Sequence, residues 1–392
     1  EIIIRGVGSI NGLNPIFIID GVNRGNNVNY NPKDVESIEI IKDASAAAIY
    51  GAQAAGGVVL ITTKKGVLNQ KAVVDVSSNV GVRQITKSYD MLETVPYIKA
   101  RQAVGDNYAL WNDPSSLPNT NWFDEVFQTG VEQSHNISIK GGTEKISYYV
   151  SGGYENEEGI QKNNKWERYS IRANSDYKLN KKFTFGTRIY ATKILERPYT
   201  VDIPWRTLPY MAVYNADGSF ASVPKEVEFS GGNPVANIAY AHLKNGSGML
   251  ASDLYFDWEI LNGLHFINTG SAGLSAGYND SFTQADNLRR SATAESYTKS
   301  SSYSESYTLT STLNYAKIFA RKHDFKIMLG YEIKNSNSSS LSATANSFPV
   351  PVAESFALST NTNKTASGSL GYGRFLSQFG RINYAYNNRY LL

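Results

Sequence analysis

What most constrains this chain is a recurring alternation of apolar and polar residues, interrupted by connections whose lengths themselves alternate. In residues 253–260 (DLYFDWEI), Leu254, Phe256, Trp258 and Ile260 share one face while Asp253, Tyr255, Asp257 and Glu259 share the other. That period of two belongs to a β-strand with one apolar and one polar face. Val74, Val76, Val80 and Val82 alternate with Asp75, Ser77, Asn79 and Arg83 in the same way, and Tyr169, Ile171, Ala173, Ser175 and Tyr177 oppose Arg168, Arg172, Asn174 and Asp176. Tyr307, Leu309, Ser311, Leu313 and Tyr315 face away from Thr308, Thr310, Thr312 and Asn314, so aromatic residues again bracket an apolar stretch.

Ten such strands are predicted, at residues 72–84, 132–141, 145–155, 166–178, 182–196, 250–260, 263–276, 302–318, 322–337 and 372–387. The joins at 142–144, 179–181, 261–262 and 319–321 are tight, those at 86–131, 197–249, 277–301 and 334–371 are long, and 156–165 is intermediate. Alternation along a strand also describes a soluble β-sandwich. Short and long connections in strict succession are instead the rule of outer-membrane barrels, whose periplasmic turns are short, whose extracellular loops are long, and whose strands carry aromatics at both edges of an apolar band. The sequence therefore reads as an antiparallel transmembrane β-barrel. Asp217 and Gly218, inside a long join, predict a small hairpin there.

The first 66 residues are organised differently. Asn31 is placed to cap a short helical turn with Pro32 first and Asp34 in its first turn, where free N–H groups favour oxygen and negative charge. Ser37, Glu39 and Ile41 then alternate with Ile38, Ile40 and Lys42 as a strand does. Asp43 caps an alanine-rich turn at 43–50 (DASAAAIY), and Gly51 follows where a helix-ending residue is wanted. Gly56 and Gly57 break the chain before Val58–Thr63 (VVLITT), a short β-branched run typical of a strand buried on both faces. Residues 32–66 thus form a small α/β module. Its glycines make no nucleotide site: Gly6, Gly8 and Gly12 are out of the G-x-G-x-x-G frame, and no stretch ends in Gly-Lys-Ser/Thr. Most of them are turn residues.

With Arg5-Gly6 and the run 15–22 (PIFIIDGV) before it, this module resembles the N-terminal plug of TonB-dependent outer-membrane transporters, and DASAAAIY resembles more narrowly their SusC/RagA-like branch, found in Bacteroidota. The resemblance implies a small α/β plug domain at residues 1–66, truncated at its N-terminus, and at 67–392 the first part of the transmembrane barrel with long extracellular loops. If the plug ends on the periplasmic side, the strand at 72–84 runs outward and every later short turn is periplasmic, in agreement with the loop lengths. A barrel of about eight strands is filled by its own side chains, whereas one of about 22 holds a plug. An open edge in the bilayer would also leave backbone groups unpaired. About ten strands of a roughly 22-strand barrel are then present, and the chain is expected to continue beyond both Glu1 and Leu392.

Composition narrows the function. The 392 residues contain no cysteine, which removes disulfides and thiolate metal sites, and a net charge of +3 without a Lys/Arg block gives no reason to expect nucleic acid as a partner. Neither a signal peptide nor a transmembrane helix is seen. His135, His242, His265 and His323 are scattered without metal-ligand spacing. Asp253, Asp257 and Glu259 imitate a glycosidase pair but share one strand face with no evident cleft. Asp106, Asn107, Asn112 and Asp113 offer oxygen ligands to calcium but match no EF-hand loop. No enzyme activity, cofactor or metal is expected.

The resemblance implies active uptake of a bulky nutrient across the outer membrane of a Gram-negative bacterium. TonB, working with ExbB and ExbD, would pull on an N-terminal box that this sequence does not contain, and a SusD-like surface lipoprotein would act as a lid. The cargo of this branch is usually an oligosaccharide (a glycan) and sometimes a peptide. A siderophore or cobalamin receptor without a lid, or a non-transporting adhesin, would share the same barrel. Cargo contacts are expected from Ser9, Asn11 and Asn14 in the polar plug segment 8–14, from Asn26, Asn27 and Asn29, and from Trp111, Trp122 and Trp205 in the long loops, where aromatic faces can stack on sugar rings. Turn formation and loop packing are the competing explanations. Arg5, Asp20, Glu36, Glu39 and Lys42 resemble the charged plug positions of the family and are expected to hold plug to barrel wall.

Overall fold

The computed structural model describes residues 14–25, 29–42, 54, 56–199, 207–224, 232–283, 295–348, 355–360, 364–387 and 390–391. A small sheet has the order β2-β1-β4-β3, with β1 at Ile16–Ile19, β2 at Val22–Asn23, β3 at Val35–Ile41 and β4 at Val58–Thr63. β1 folds back on β2 through Asp20 and Gly21, both at positive φ (49° and 87°), the geometry that an Asp-Gly pair supplies to a two-residue hairpin. The Asp20 carboxylate accepts bonds from the Thr63 N–H (2.9 Å) and hydroxyl (2.6 Å), tying this hairpin to the end of β4. β4 is central and buried on both faces, as its β-branched run predicts. Val59 and Ile61 pack with Phe17, Ile19 and Tyr30 on one side, and Val58 packs with Ile16 and Ile18 on the other. The alanine-rich turn at 43–50 lies outside the described residues.

The large sheet holds eleven antiparallel strands in chain order. They are β5 Val73–Arg83, β6 Gly130–Gly142, β7 Ile146–Glu158, β8 Asn164–Lys178, β9 Phe183–Pro198, β10 Ala241–Leu261, β11 Leu264–Thr283, β12 Ser296–Phe319, β13 His323–Asn346, β14 Thr365–Tyr386 and the two-residue β15 Tyr390–Leu391. All ten predicted strands are present. The last five are longer than expected, because residues 241–249, 277–283, 296–301, 338–346 and 365–371, read from sequence as loop, continue the ladders. Each stretch carries at most two large apolar residues, among them Phe282 and Tyr297, which cluster with Ala345 and Phe348, so no hydrophobic period marks it, whereas backbone pairing needs none. The tight turns stay where the sequence puts them. At one of them Gly263 has φ +81° and a Cβ would sit 2.3 Å from the Ala316 carbonyl oxygen, so only glycine fits.

Two rows of aromatics bound the outward face. Phe183 stacks on Phe256 and Trp258 at 5.6 and 5.7 Å between ring centres. Ten residues farther along β9, Lys193 is level with Tyr169, which tilts against Tyr154 at 5.1 Å, and through Gly248 and Ala276 with Tyr303. Ten residues of strand measure about 33 Å, or about 23 Å across the bilayer at a tilt of about 45°, close to the height of about 25 Å of the apolar band of such barrels. Between the rows Ile171, Ile189, Leu254, Leu309 and Leu313 are 38–63% exposed and face lipid. The parts of β10 to β14 beyond Tyr303 therefore stand clear of the membrane.

Outside it the long joins fold into a cap. Helices α1 (Thr94–Ala103) and α2 (Trp122–Val126) contribute Ile98 and Trp122 to a cluster with Trp111, Leu208, Tyr210 and Met211. Asp217 and Gly218 turn a small hairpin whose arms meet at Tyr214 and Phe220. A third helix, α3 (Pro234–Tyr240), starts at Asn233, whose side-chain oxygen accepts from the N–H groups of Val235 and Ala236. Two substitutions test this layout. Leu254→Arg, on the lipid face, should lower stability in vesicles by about 2–4 kcal/mol in urea titrations. Trp122→Ala should cost the cap about 3–5 kcal/mol, seen as faster proteolysis in the segment around residues 86–129 with the strands still protected.

Candidate functional site: the plug seat and the wall above it

Register brings six inward side chains to one level. Tyr149, Asn174, Arg188, Asp253, Ser271 and Thr308 are successive cross-strand partners from β7 to β12, and none is more than 8% exposed. They are buried because the small sheet rests against the wall at this level. The turn Pro32–Asp34 starts the contact, with Asn31 accepting from the Lys33 N–H (2.9 Å) and so aiming Asp34 at the wall. The Asp34 carboxylate accepts from the Tyr149 hydroxyl (2.9 Å), the Ser151 hydroxyl (2.5 Å) and the Arg172 Nε (3.3 Å). The Asn31 amide donates to Asn136 (3.0 Å) and Ser170 (3.3 Å). Gly153 leaves room for it, since a Cβ there would lie 2.5 Å from the Asn31 Nδ2.

Arg172 lies against two stacked aromatic rings as well as being paired. Its guanidinium lies 4.7 Å over the Tyr190 ring and 5.3 Å over Tyr30, and these two rings stack at 4.5 Å. The Tyr190 hydroxyl donates to the Asn29 carbonyl (2.8 Å), and Arg168 donates to the Tyr30 carbonyl (3.3 Å). Burial raises the Tyr30 phenol above its usual range despite the opposing pull of Arg24 and Arg172, so it stays neutral. Asn174 donates to the Thr63 hydroxyl (2.9 Å) and the Lys64 carbonyl (2.8 Å). Charges in the seat come in pairs: Arg172 with Asp34, Arg24 with Asp253 (2.5 Å), Arg188 with Asp176 (2.6 Å) and Arg168 with Glu155 (2.5 Å). A buried pair adds little net stability, because desolvation offsets attraction, but removing one partner strands the other charge.

Above this level the inner face of β11 to β14 is nearly uniform. Five successive rows read Gly273/Ser306/Ser336/Gly373, Ser275/Ser304/Ser338/Gly371, Gly277/Ser302/Ser340/Ser369, Asn279/Ser300/Ser342/Ser367 and Ser281/Thr298/Thr344/Thr365. Every position but Asn279 is Ser, Thr or Gly, and none is charged. Cross-strand hydroxyl pairs hold it together: Ser275–Ser304 (2.7 Å), Ser300–Ser342 (2.8 Å), Thr298–Thr344 (2.9 Å) and Ser340–Ser369 (2.8 Å). Each hydroxyl both donates and accepts, so the wall offers neutral hydrogen-bonding groups on short side chains.

The residues singled out from sequence fall in several places. Arg5, Ser9, Asn11, Asn26, Asn27 and Trp205 lie outside the described residues. Asn14 is exposed and Asn29 reaches the wall through its carbonyl. Trp111 and Trp122 are 3% and 4% exposed inside the loop cap, so neither presents an open ring face. Asp20 bonds to Thr63 within the small sheet, Glu36 and Glu39 are exposed along β3, and Lys42 is exposed just after it. The described contacts between small sheet and wall run instead through Arg24, Tyr30, Asn31, Asp34 and Thr63. Asp106 pairs with Arg101, and Asp113 accepts from the Ser115 N–H and hydroxyl. Alternation did reveal that Arg168, Arg172, Asn174 and Asp176 face inward. No local signal set their level against Asp34.

Removing one charge tests the seat. Arg172→Leu should destabilise the plug by about 3–5 kcal/mol, and pairing it with Asp34→Asn should recover part of that loss. The measurement is a double-mutant cycle read by protease cleavage of residues 14–66, and simple additivity would show that the two side chains are not coupled.

Comparison with known proteins agrees with this architecture. Residues 1–58 match the family model of the TonB-dependent Receptor Plug Domain. "TonB-dependent receptor P26" of Formosa agariphila is 30% identical over 405 residues, covering 99% of this chain and 41% of that protein. "TonB-dependent receptor SusC" of Bacteroides thetaiotaomicron is 36% identical over 219 residues, 49% of this chain and 21% of SusC. The chain thus spans less than half the length of the curated relatives it matches. Among solved structures, the RagAB peptide importer in its open-open state superposes with a TM-score of 0.80 at 22% identity, over 95% of this chain and 46% of that one. The ferric citrate transporter FecA superposes with a TM-score of 0.55 at 10% identity, over 95% of this chain and 48% of that one, and these two likenesses speak to fold. With its plug sheet seated on a meander of bilayer-spanning strands, the chain belongs to the SusC-like TonB-dependent receptors, β-barrel proteins of the Gram-negative outer membrane.

Proposed function

We propose that this chain is the plug, residues 1–66, and the first part of the barrel, residues 67–392, of an active importer whose cargo is an oligosaccharide. The observation that carries the cargo class is the hydroxyl wall on the inner face of β11 to β14. Neutral groups that donate and accept suit a cargo that is itself covered in hydroxyls, and short side chains leave the passage wide. A field of serine and glycine gives no apolar pocket in which peptide side chains would be recognised. The superposition on the RagAB peptide importer makes peptide uptake the second reading.

The remaining parts follow the family. Strands beyond β5 and β15, which do not pair with each other among the described residues, would close the barrel, since an open edge in lipid leaves backbone groups unsatisfied. TonB, with ExbB and ExbD, would supply the pull through an N-terminal segment, and a SusD-like lipoprotein would cover the extracellular mouth. A seat made of paired charges and amides suits a plug that must move, because water can satisfy those groups once they separate, whereas it cannot satisfy apolar surface. No step of this process calls for catalysis.

A deletion strain tests the proposal by growth on defined oligosaccharides and peptides. Loss of growth on one class of oligosaccharide, with a surface lipoprotein copurifying with the receptor, is the expected result. Restoring the gene with Ser302→Leu and Ser340→Leu together should lower uptake about tenfold at equal receptor levels, as two to three hydrogen bonds of about 0.5–1 kcal/mol are withdrawn. Loss of growth on peptides alone, or unchanged uptake by the wall variant, would reject the glycan reading.

A further inference from the structure

The hydroxyl wall ends at a charge. One row below Gly273, the cross-strand series Ser271, Thr308 continues to Lys334 on β13. Here the wall and the plug enclose a polar cavity of about 170 Å³, lined by Arg24 and Tyr30 from the plug and by Ser271, Ser304, Thr308 and Lys334 from the wall. Lys334 is half-buried and, among the described residues, its ammonium has no ion-pair or hydrogen-bond partner. Of the neighbouring inward carboxylates, Asp253 is paired with Arg24 (2.5 Å), and Glu332, two residues along β13, accepts from the Thr310 hydroxyl (2.9 Å) and does not line the cavity. Two more donors in the same cavity are unused. Among the described residues, the Ser271 hydroxyl, on a residue 8% exposed, and the buried Arg24 Nε both lack a hydrogen-bond partner.

Native proteins seldom leave buried donors unpaired, and each such group points to something that completes it. What would complete this set is fixed by its chemistry: an ammonium, a guanidinium N–H and hydroxyls all donate, and their summed charge beyond the Arg24–Asp253 pair is positive. We propose that this cavity binds an oxyanion, a carboxylate or sulfate group, carried by the imported polymer. The proposal rests on the import reading above and sharpens it from a hydroxylated cargo to an acidic one. The uncharged wall leads to the cavity, and Lys334 on the wall and Arg24 on the plug contact the anion from opposite sides.

Titration calorimetry on the purified receptor tests this with sodium sulfate, oligogalacturonate hexamer, hexa-aspartate and neutral xylohexaose as probes. Wild type should bind the oligogalacturonate, Lys334→Met should weaken that binding about tenfold or more, as loss of a charge-assisted bond predicts, and Lys334→Arg should retain it. Affinity for xylohexaose should be the same in all three proteins, and equal melting temperatures exclude a folding effect. Tighter binding of hexa-aspartate than of oligogalacturonate would assign the carboxylate to a peptide instead of a glycan. No binding of any anion by wild type, or anion binding that Lys334→Met leaves at equal strength, would overturn the site, and Lys334-dependent sulfate binding without oligogalacturonate binding would assign the oxyanion to a sulfate group. Cells carrying Lys334→Met separate the two readings. Normal uptake of neutral glycan with unaltered anion affinity removes the site and leaves import standing, while Lys334-dependent binding without any uptake removes import and leaves the site.

Discussion

Everything else in this molecule depends on the unbroken backbone ladder from β5 to β14. In lipid there is no water to accept an unpaired N–H, so every strand must match its neighbour residue for residue across the membrane. A shift of one residue would turn the whole apolar set inward. Because register is held this strictly, chemistry assembles in rows: aromatics level with aromatics on the outer face, and Tyr149, Asn174, Arg188, Asp253, Ser271 and Thr308 level with one another inside.

The inner face then divides by height. At the level of the plug the charges come in pairs, and Arg172 is 2% exposed while remaining bonded to Asp34 and lying against two tyrosines. Such an interface is specific without being strongly adhesive, since the attraction of each pair is largely offset by the cost of drying it. Above the plug, β11 to β14 carry inward hydroxyls and glycines, save Asn279, and their ladders continue well past the membrane. Two surfaces with different chemistry are thus made side by side in one sheet, the charged one on β7 to β10 and the hydroxyl one on β11 to β14, and Lys334 stands where the hydroxyl wall meets the plug.

Much of this was legible beforehand. The period of two located all ten long strands because one face of each meets lipid, and the short turns were set by loop length alone. The extensions beyond the bilayer were missed because each carries too few large apolar residues to show a period, and the cluster of Phe282, Tyr297, Ala345 and Phe348 draws on β11, β12, β13 and the join that follows, a gathering no single stretch reveals. Trp111 and Trp122 illustrate a different limit. A tryptophan in a long loop reads equally well as a sugar platform or as a core residue, and only the helices α1 and α2 closing over them, with the Trp122 Nε1 bonded to the Leu208 carbonyl at 2.9 Å, decide for the core.

The sequence by itself determined the fold class, the direction of the strands and which residues face inward, because these follow from local periodicity, from the connection lengths between strands and, above all for the barrel and its direction, from the plug-like module that precedes them. It even marked Asp34 as a residue at the start of a capped turn. What it could not supply was height along the wall. Asp34 and Arg172 are 138 residues apart, and Ser306, Ser336 and Gly373 come from three different strands. Their meeting depends on register summed over many strands, each step fixed by backbone pairing that leaves no trace in side-chain type. The plug seat, the hydroxyl wall and the cavity at Lys334 are products of that sum, and only the tertiary structure decided them.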